Sequence, residues 1–505
     1  MQVTTETAYD RVPYPGHPHA ETHPNRLAAI AALFGLDAPA VGTARVLEVG
    51  CGDGGNLIPI ACSLPAARCV GFDLAPSAIE RGRARIGQLG LANARLDVAD
   101  LTTVSRRFGM FDYVIAHGVY SWVPRPVRDA LLALIRDSLS PGGVALVSYN
   151  TYPGWHVSRL VRETLRYHTR EVADPAERVV QSKALVDFLA VAHPAEDAYG
   201  RLLAAESERI AKLSSGHLFH DDLAEVNQPV YFHELVAHAR AHGLAFLAEA
   251  DYATMSGAEL PDAARDKLEP LRGDPVAWGQ YLDFVKGRRF RGTMLCHASQ
   301  RVATAPVPGA VRRLLAAAAA VPDAQPVDLA AGKEAHFRWG ERASLRTDHP
   351  LAKAAFIALL DRWRDQATFD VLLAGACSLL GRAPGGEDAE ALEAILLGAF
   401  GLRMVELTAE RWIYATRVGT RPEASRLARL EAEEGDLVTT LAHRRVRLDD
   451  PRLRQLLLLC DGTRDVDALV ADLGAAGHAV DRVGVEAQVE GFAKLGLLMP
   501  GERGS

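Results

Sequence analysis

The 505-residue sequence is poor in cysteine, in long apolar runs and in excess positive charge. Its six cysteines, Cys51, Cys62, Cys69, Cys296, Cys377 and Cys460, are scattered and none forms a C-x-x-C pair. That argues against a zinc site or a disulfide framework and makes a reducing cytoplasm the expected compartment. The longest fully apolar run, LLAAAAAV, is eight residues, whereas a membrane-spanning helix needs about 20. The N-terminal MQVTTETAYD has no basic stretch followed by an apolar one, so no signal peptide is expected. A net charge of −7 argues against a large nucleic-acid interface. No fixed-period repeat is visible. What remains is an ordinary composition, 49% hydrophobic and 24% charged, in a chain long enough for about three domains.

Residues 45–150 alternate strand and helix. RVLEVG, RCVGFDL, ARLDVA, FDYVIAH and GVALVSYN read as strands, and GNLIPIACSL, APSAIERGRARIGQLG and RPVRDALLALIRDSL read as helices. That order predicts a parallel sheet covered on both faces, an α/β fold. The tight turn SPGG (140–143) precedes the last strand. Beyond about residue 155 the strand signal fades, and FHELVAHARAHGLAFL carries helical spacing. The Pro- and Ala-rich stretch 297–310 reads as a linker. The end of the chain reads as short helices with a small wing.

The stretch RVLEVGCGDGGNLIPIA fits two glycine patterns. Gly50, Gly52 and Gly55 satisfy G-x-G-x-x-G, which binds dinucleotides, and Glu48, Gly50, Gly52 and Gly54 satisfy E-x-G-x-G-x-G, which binds S-adenosylmethionine (SAM). Glu48 decides between them. A carboxylate on a central strand costs several kcal/mol unless it is paired, and a cationic methionine end gives it a reason to be there. Asp73 closes the second strand, where an acid accepts ribose hydroxyls. Asp100 follows the third strand, where a SAM site takes the adenine amino group. Glycines at 50, 52 and 54 let the backbone approach the ligand.

On these motifs, residues 9–155 resemble class I SAM-dependent methyltransferases. The resemblance includes YDRVPYPGHPHAETHPNRL, AHGVYSWVP and NTYPGWH. HLFHDDLAEVNQPVYFHELVAHARAHGLAFLAEA resembles a methyltransferase regulatory domain, and TDHPLAK and DGTRDVDAL resemble the C-terminal region of the same bacterial family. Its characterised members are protein-lysine methyltransferases of outer-membrane proteins. The resemblance implies a SAM-binding domain with an N-terminal lid (1–155), a mostly helical regulatory domain (156–300), an α+β middle region (311–440) and a winged-helix-like end (441–505). It implies SAM as methyl donor with S-adenosylhomocysteine as product, a protein acceptor, a cytoplasmic enzyme and a homodimer through the accessory domains. It extends the cofactor set to Asn56, Leu74, Leu101, His117 and Tyr9.

For the acceptor, the segment after the fourth strand matters most. It lacks the [DNS]-P-P-[YF] motif of base-methylating enzymes, which argues against a nucleic-acid acceptor, and no acidic cluster suits a magnesium site. Tyr120 and Trp122 are candidates for an aromatic acceptor wall, with packing under the following helix as the alternative. The resemblance places Tyr9 or Tyr14 near the sulfonium. His220, Asp221 and Asp222, in FHDDL, read as the start of a helix with an aspartate as N-cap, and the alternative is that they reach the acceptor pocket. HELVAH is one residue out of register with the zinc motif H-E-x-x-H, so His238 and His242 read as a solvated helix face and no metal is assigned. Two other functions stay open: a small-molecule methyltransferase and a SAM-binding scaffold without turnover.

Overall fold

The structure is a computed structural model and describes residues 11–501 except 13, 15, 105–107, 195, 341, 342 and 364. Five strands run parallel: β1 (Arg45–Val49), β2 (Arg68–Asp73), β3 (Ala94–Val98), β4 (Phe111–Ala116) and β5 (Leu139–Asn150). Helix α1 (Pro24–Leu33) precedes them, and α2 (Leu57–Ser63), α3 (Pro76–Leu89) and α4 (Arg125–Ser138) cross between them. Pro76 opens α3, and Gly90, at φ 67°, ends it, the expected use of proline and glycine at helix ends. The order of these five strands, β3-β2-β1-β4-β5, reverses direction between β1 and β4. A crevice opens at the carboxyl ends of the strands at such a switch point.

The sheet does not stop at β5. Strands β6 (Leu244–Glu249) and β7 (Phe290–His297) come from the region expected to be mostly helical. They extend the sheet antiparallel. FHELVAHARAHGLAFL is therefore a helix (Phe232–Ala241) followed by a strand, split at Gly243 with φ 76°. Short apolar runs fit either period, so spacing alone could not separate the two. The SPGG turn is also absorbed: β5 already begins at Leu139, with Gly142 at φ 75° and a register shift opposite Phe111 and Tyr113.

Between β5 and β6 lie α5 (Trp155–His168), α6 (Pro175–Ala192) and α7 (Ala198–Ala211), packed around Val161, Leu165, Val186 and Ile210. Most of FHDDL lies in a π-helical turn, Leu218–Asp222, and Ser214 caps the turn before it. The aspartates thus lie at its carboxyl end and cap nothing, contrary to the N-cap reading.

One large core joins α1 and one face of the sheet to residues 310–407, from Leu27 to Leu407. The 311–440 region therefore shares its core with the methyltransferase sheet. Residues 297–310 lie along the end of α1, Ala303 and Val307 donating to the Phe34 and Leu33 carbonyls. The terminal unit has its own core, from Ala415 to Leu498, and so begins earlier than residue 441. No helix among the described residues is long and apolar enough to cross a membrane.

Candidate active site

A cavity of about 800 Å³ opens over the carboxyl ends of β1, β2, β3 and β4. The loop after β1 forms its floor. Gly50, Gly52 and Gly54 have φ of 69°, 54° and 79°, a region that disfavours side chains. A Cβ on Gly52 would meet no atom within 4 Å, so this residue faces open space. At Gly55 a Cβ would sit 2.3 Å from the Gly16 carbonyl carbon. The N-terminal arm therefore passes directly over the glycine loop as a lid. Gly54 does not line the cavity; its Cα faces Ile58 and Leu96.

Asp73 holds this loop from the neighbouring strand, and Asp100 holds the loop after β3. Asp73 Oδ2 accepts from the Gly52 amide at 2.9 Å and its Oδ1 from the Ala75 amide at 2.9 Å. Asp100 Oδ1 accepts from the Thr102 amide and hydroxyl, both at 2.8 Å. Leu74 and Leu101 line the same wall. Both carboxylates are fixed by short local hydrogen bonds and line the cavity.

Glu48 is buried at 4% exposure. Its Oε1 accepts from Asn56 Nδ2 at 2.7 Å, and its Oε2 has no hydrogen-bond partner among the described residues. Burial pushes this carboxyl up to about 8, against the pull of Asn56. A buried carboxylate with one oxygen unsatisfied costs about 1–3 kcal/mol, and a cationic or donor-bearing ligand in the cavity removes that cost. This is the fit expected of a SAM site.

Asn56 gathers distant parts of the chain. Its Oδ1 accepts from the His19 amide, the Thr22 hydroxyl and His443 Nε2, each at 2.9 Å. Lid and terminal unit thus meet on the residue that holds Glu48. Around it, burial lowers the imidazoles: His19 to about 2, His117 to about 4, and His23 and His443 well below their usual value. At neutral pH this layer adds no positive charge beside a sulfonium. His19 and His117 stack face to face at 3.7 Å, and one ligand atom from each lies within 4.8 Å of the other and of a Glu21 oxygen.

Another part of the cavity wall begins after β4. His117 and Trp122 line the cavity, as does Tyr14 of the lid. Tyr120 does not: it is 2% exposed, and its hydroxyl pairs with His238 Nδ1 at 2.8 Å. The segment Tyr120–Trp122 is a 3-10 turn, in which residues two apart lie about 240° around the axis. It therefore sends one aromatic into the core and the other into the cavity. His238, read as solvated, is buried, and its Nε2 pairs with Asp129 at 2.6 Å. His220 also stays out of the cavity, its Nε2 donating to the Val12 carbonyl at 2.6 Å and its ring lying 5.7 Å from Tyr14. It anchors the lid. Tyr9 lies outside the described residues.

Sequence reading missed several lining residues: Asn150 at the end of β5, Trp155 at the start of α5, Arg209 on α7, Arg289 just before β7 and Phe290 at its start. Asn150 and Trp155 stand in NTYPGWH, which carried the resemblance. Nothing local marks Arg209, Arg289 or Phe290, because the fold alone brings them there.

Three families match parts of this frame: a methyltransferase domain at 46–143, a predicted methyltransferase regulatory domain at 214–297, and the PKMT C-terminal winged helix domain at 420–483. The uncharacterized protein RP789 of Rickettsia prowazekii is 39% identical over 302 residues, 59% of this chain and 54% of that protein. The chain thus spans about half the length of that relative. The uncharacterized protein RP028 of the same organism is 34% identical over 241 residues, 48% of this chain and 96% of that protein. The structure of PKMT2 from Rickettsia typhi in complex with AdoHcy aligns with a TM-score of 0.86 at 25% identity, covering 96% of this chain and all of that one. The chain belongs to this family of SAM-dependent methyltransferases, in which a class I methyltransferase domain is joined to a regulatory domain and a PKMT winged helix domain.

Proposed function

We propose that the protein transfers the methyl group of SAM to the ε-amine of lysine side chains in a protein acceptor. One observation carries the reading. The likeness to PKMT2, taken as a protein-lysine methyltransferase, runs through the accessory regions as well as the catalytic domain. In this reading Asp73 takes the ribose hydroxyls, Asp100 and Leu101 the adenine, and Leu74 lies beside the nucleoside. Glu48, with Asn56, faces the methionine end together with the Gly50–Gly52 turn and the His117 backbone. Trp122, Trp155, Phe290 and Tyr14 wall the acceptor side, where aromatic faces favour an amine over water. The amine lone pair attacks the methyl carbon in line, the carbon–sulfur bond breaks and its electrons go to sulfur. We place a homodimer contact on α6, where Val180, Phe188 and Val191 share one exposed face.

The test is incubation of the full chain with methyl-labelled SAM and a bacterial lysate, followed by total hydrolysis and amino-acid analysis. Label in methylated lysine is expected. Label confined to extractable small molecules, or to glutamate, arginine or nucleobases, would overturn the lysine reading.

A further inference from the structure

We infer that Asp221 is the carboxylate that meets the acceptor's ammonium group and takes its proton before methyl transfer. The inference rests on the lysine reading above and adds to it the base that a protonated amine requires.

Asp221 lies at the carboxyl end of the π-helical turn and lines the same cavity as Glu48, Gly52 and Asp73. Helical turns of this kind are frequent at functional sites. Its surroundings distinguish it from every other carboxylate nearby. Asp222, its neighbour, is tied to Arg209, with Nη2 to Oδ1 at 2.7 Å. Glu206 holds both Arg209 Nε and Arg289 Nη1 at 2.8 Å. Arg162 donates to the Ala224 carbonyl. The cations packed against this corner, from α5, α7 and the approach to β7, are thus already engaged. The imidazoles of His217 and His220 are lowered by burial and uncharged at neutral pH. Asp221 is left half-buried on the cavity wall with no hydrogen bond or ion pair to the described residues.

Such a carboxylate suits a cation brought in from outside. Burial and the charge of Asp222 push its carboxyl up to about 7, with Arg209 pulling the other way. That is a good match for proton transfer near neutral pH. A lysine ammonium, with a pKa near 10.4, cannot attack until it loses a proton. Aromatic walls strip water from it and favour the neutral amine. The proton passes from the ammonium nitrogen to an Asp221 oxygen, leaving a free amine and a neutral carboxyl. After methyl transfer, Asp221 releases the proton to solvent, so each turnover yields one proton with the methylated ammonium and the thioether.

The test compares full-length wild type, Asp221→Asn and Asp221→Glu with methyl-labelled SAM and lysate protein, scored as methyl-lysine between pH 6.5 and 9. Calorimetry with SAM and thermal unfolding report whether each variant is folded. We expect SAM affinity within about twofold of wild type and a rate at pH 7 lowered about 100-fold or more in Asp221→Asn, the range of a lost general base. The wild-type rate should level off above about pH 7, whereas that of Asp221→Asn should keep climbing towards pH 9 as free amine accumulates. Asp221→Glu should restore the plateau. An Asp221→Asn enzyme with wild-type rate and pH profile would overturn the inference, as would a loss of SAM binding matching its loss of rate. Absence of methyl-lysine from the wild type would fell the lysine reading, and this inference with it. Equal methyl-lysine from both proteins fells the inference alone.

Discussion

Asp73 does two things with one carboxylate. It accepts the Gly52 and Ala75 amides, shaping the loop, and it faces the cavity where a ribose would lie. Replacing it with alanine removes both, and hydrogen bonds to a charged group are worth about 1.5–3 kcal/mol each. SAM affinity in Asp73→Ala should fall at least tenfold while the chain stays folded. Asn at the same position keeps an acceptor for one amide and should fall between. Calorimetry reads both, and unchanged affinity in the alanine variant would end the ribose assignment. The same titration with NAD should show no heat of binding. The place of Asp73 on the cavity wall is legible in the sequence because it closes a strand, where the chain's own order fixes its position. Asn56 was named for the cofactor, but its wider role was not legible. Its partner His443 lies 387 positions away, and no local pattern encodes a hydrogen bond between them.

Elements decide how side chains are aimed, and aim is what sequence reading resolves least. YSW offers two aromatics for a cavity wall or for packing, and the 3-10 turn splits them between core and cavity. This predicts distinct effects. Trp122→Ala should lower turnover about tenfold or more with little change in SAM affinity, as expected when an oriented contact to the reacting group is lost. Tyr120→Phe should leave turnover near wild type and lower the melting temperature, because His238 Nδ1 loses its buried partner, a loss of about 1–3 kcal/mol. Initial rates and thermal scans on both variants separate the cases. A Tyr120→Phe protein with normal stability and lost activity would return Tyr120 to the acceptor site. Strands β6 and β7 show the same limit at larger size. Five parallel strands were readable from alternation with helices, but β6 and β7 pair antiparallel at the far edge, and their short runs passed for helix.

Across the whole molecule, catalytic and accessory parts are built together. The core from Leu27 to Leu407 runs through both, Arg26 and Arg444 share Glu406, and His443 reaches the cofactor site through Asn56. The histidines at this junction give the assembly an acid-side weakness whose sign follows from their shifts. Burial holds His19, His23, His117 and His443 below the usual imidazole range, so the folded state keeps them neutral. The unfolded chain protonates them near pH 6.5. As pH falls below 6.5 the unfolded state binds protons that the folded state refuses, and stability is lost. The raised carboxyls of Glu48 and Asp221 oppose this, since the folded state takes up their protons first, so a difference between variants isolates a single group. For His117 the window runs from 6.5 down to about 4. Replacing it with asparagine should make the loss of stability shallower by about one proton across that window, about 1.4 kcal/mol per pH unit. Denaturant unfolding of wild type and His117→Asn at pH 6.5, 5.5 and 4.5 measures the two slopes, and parallel slopes would mean that His117 does not titrate between the folded and unfolded states.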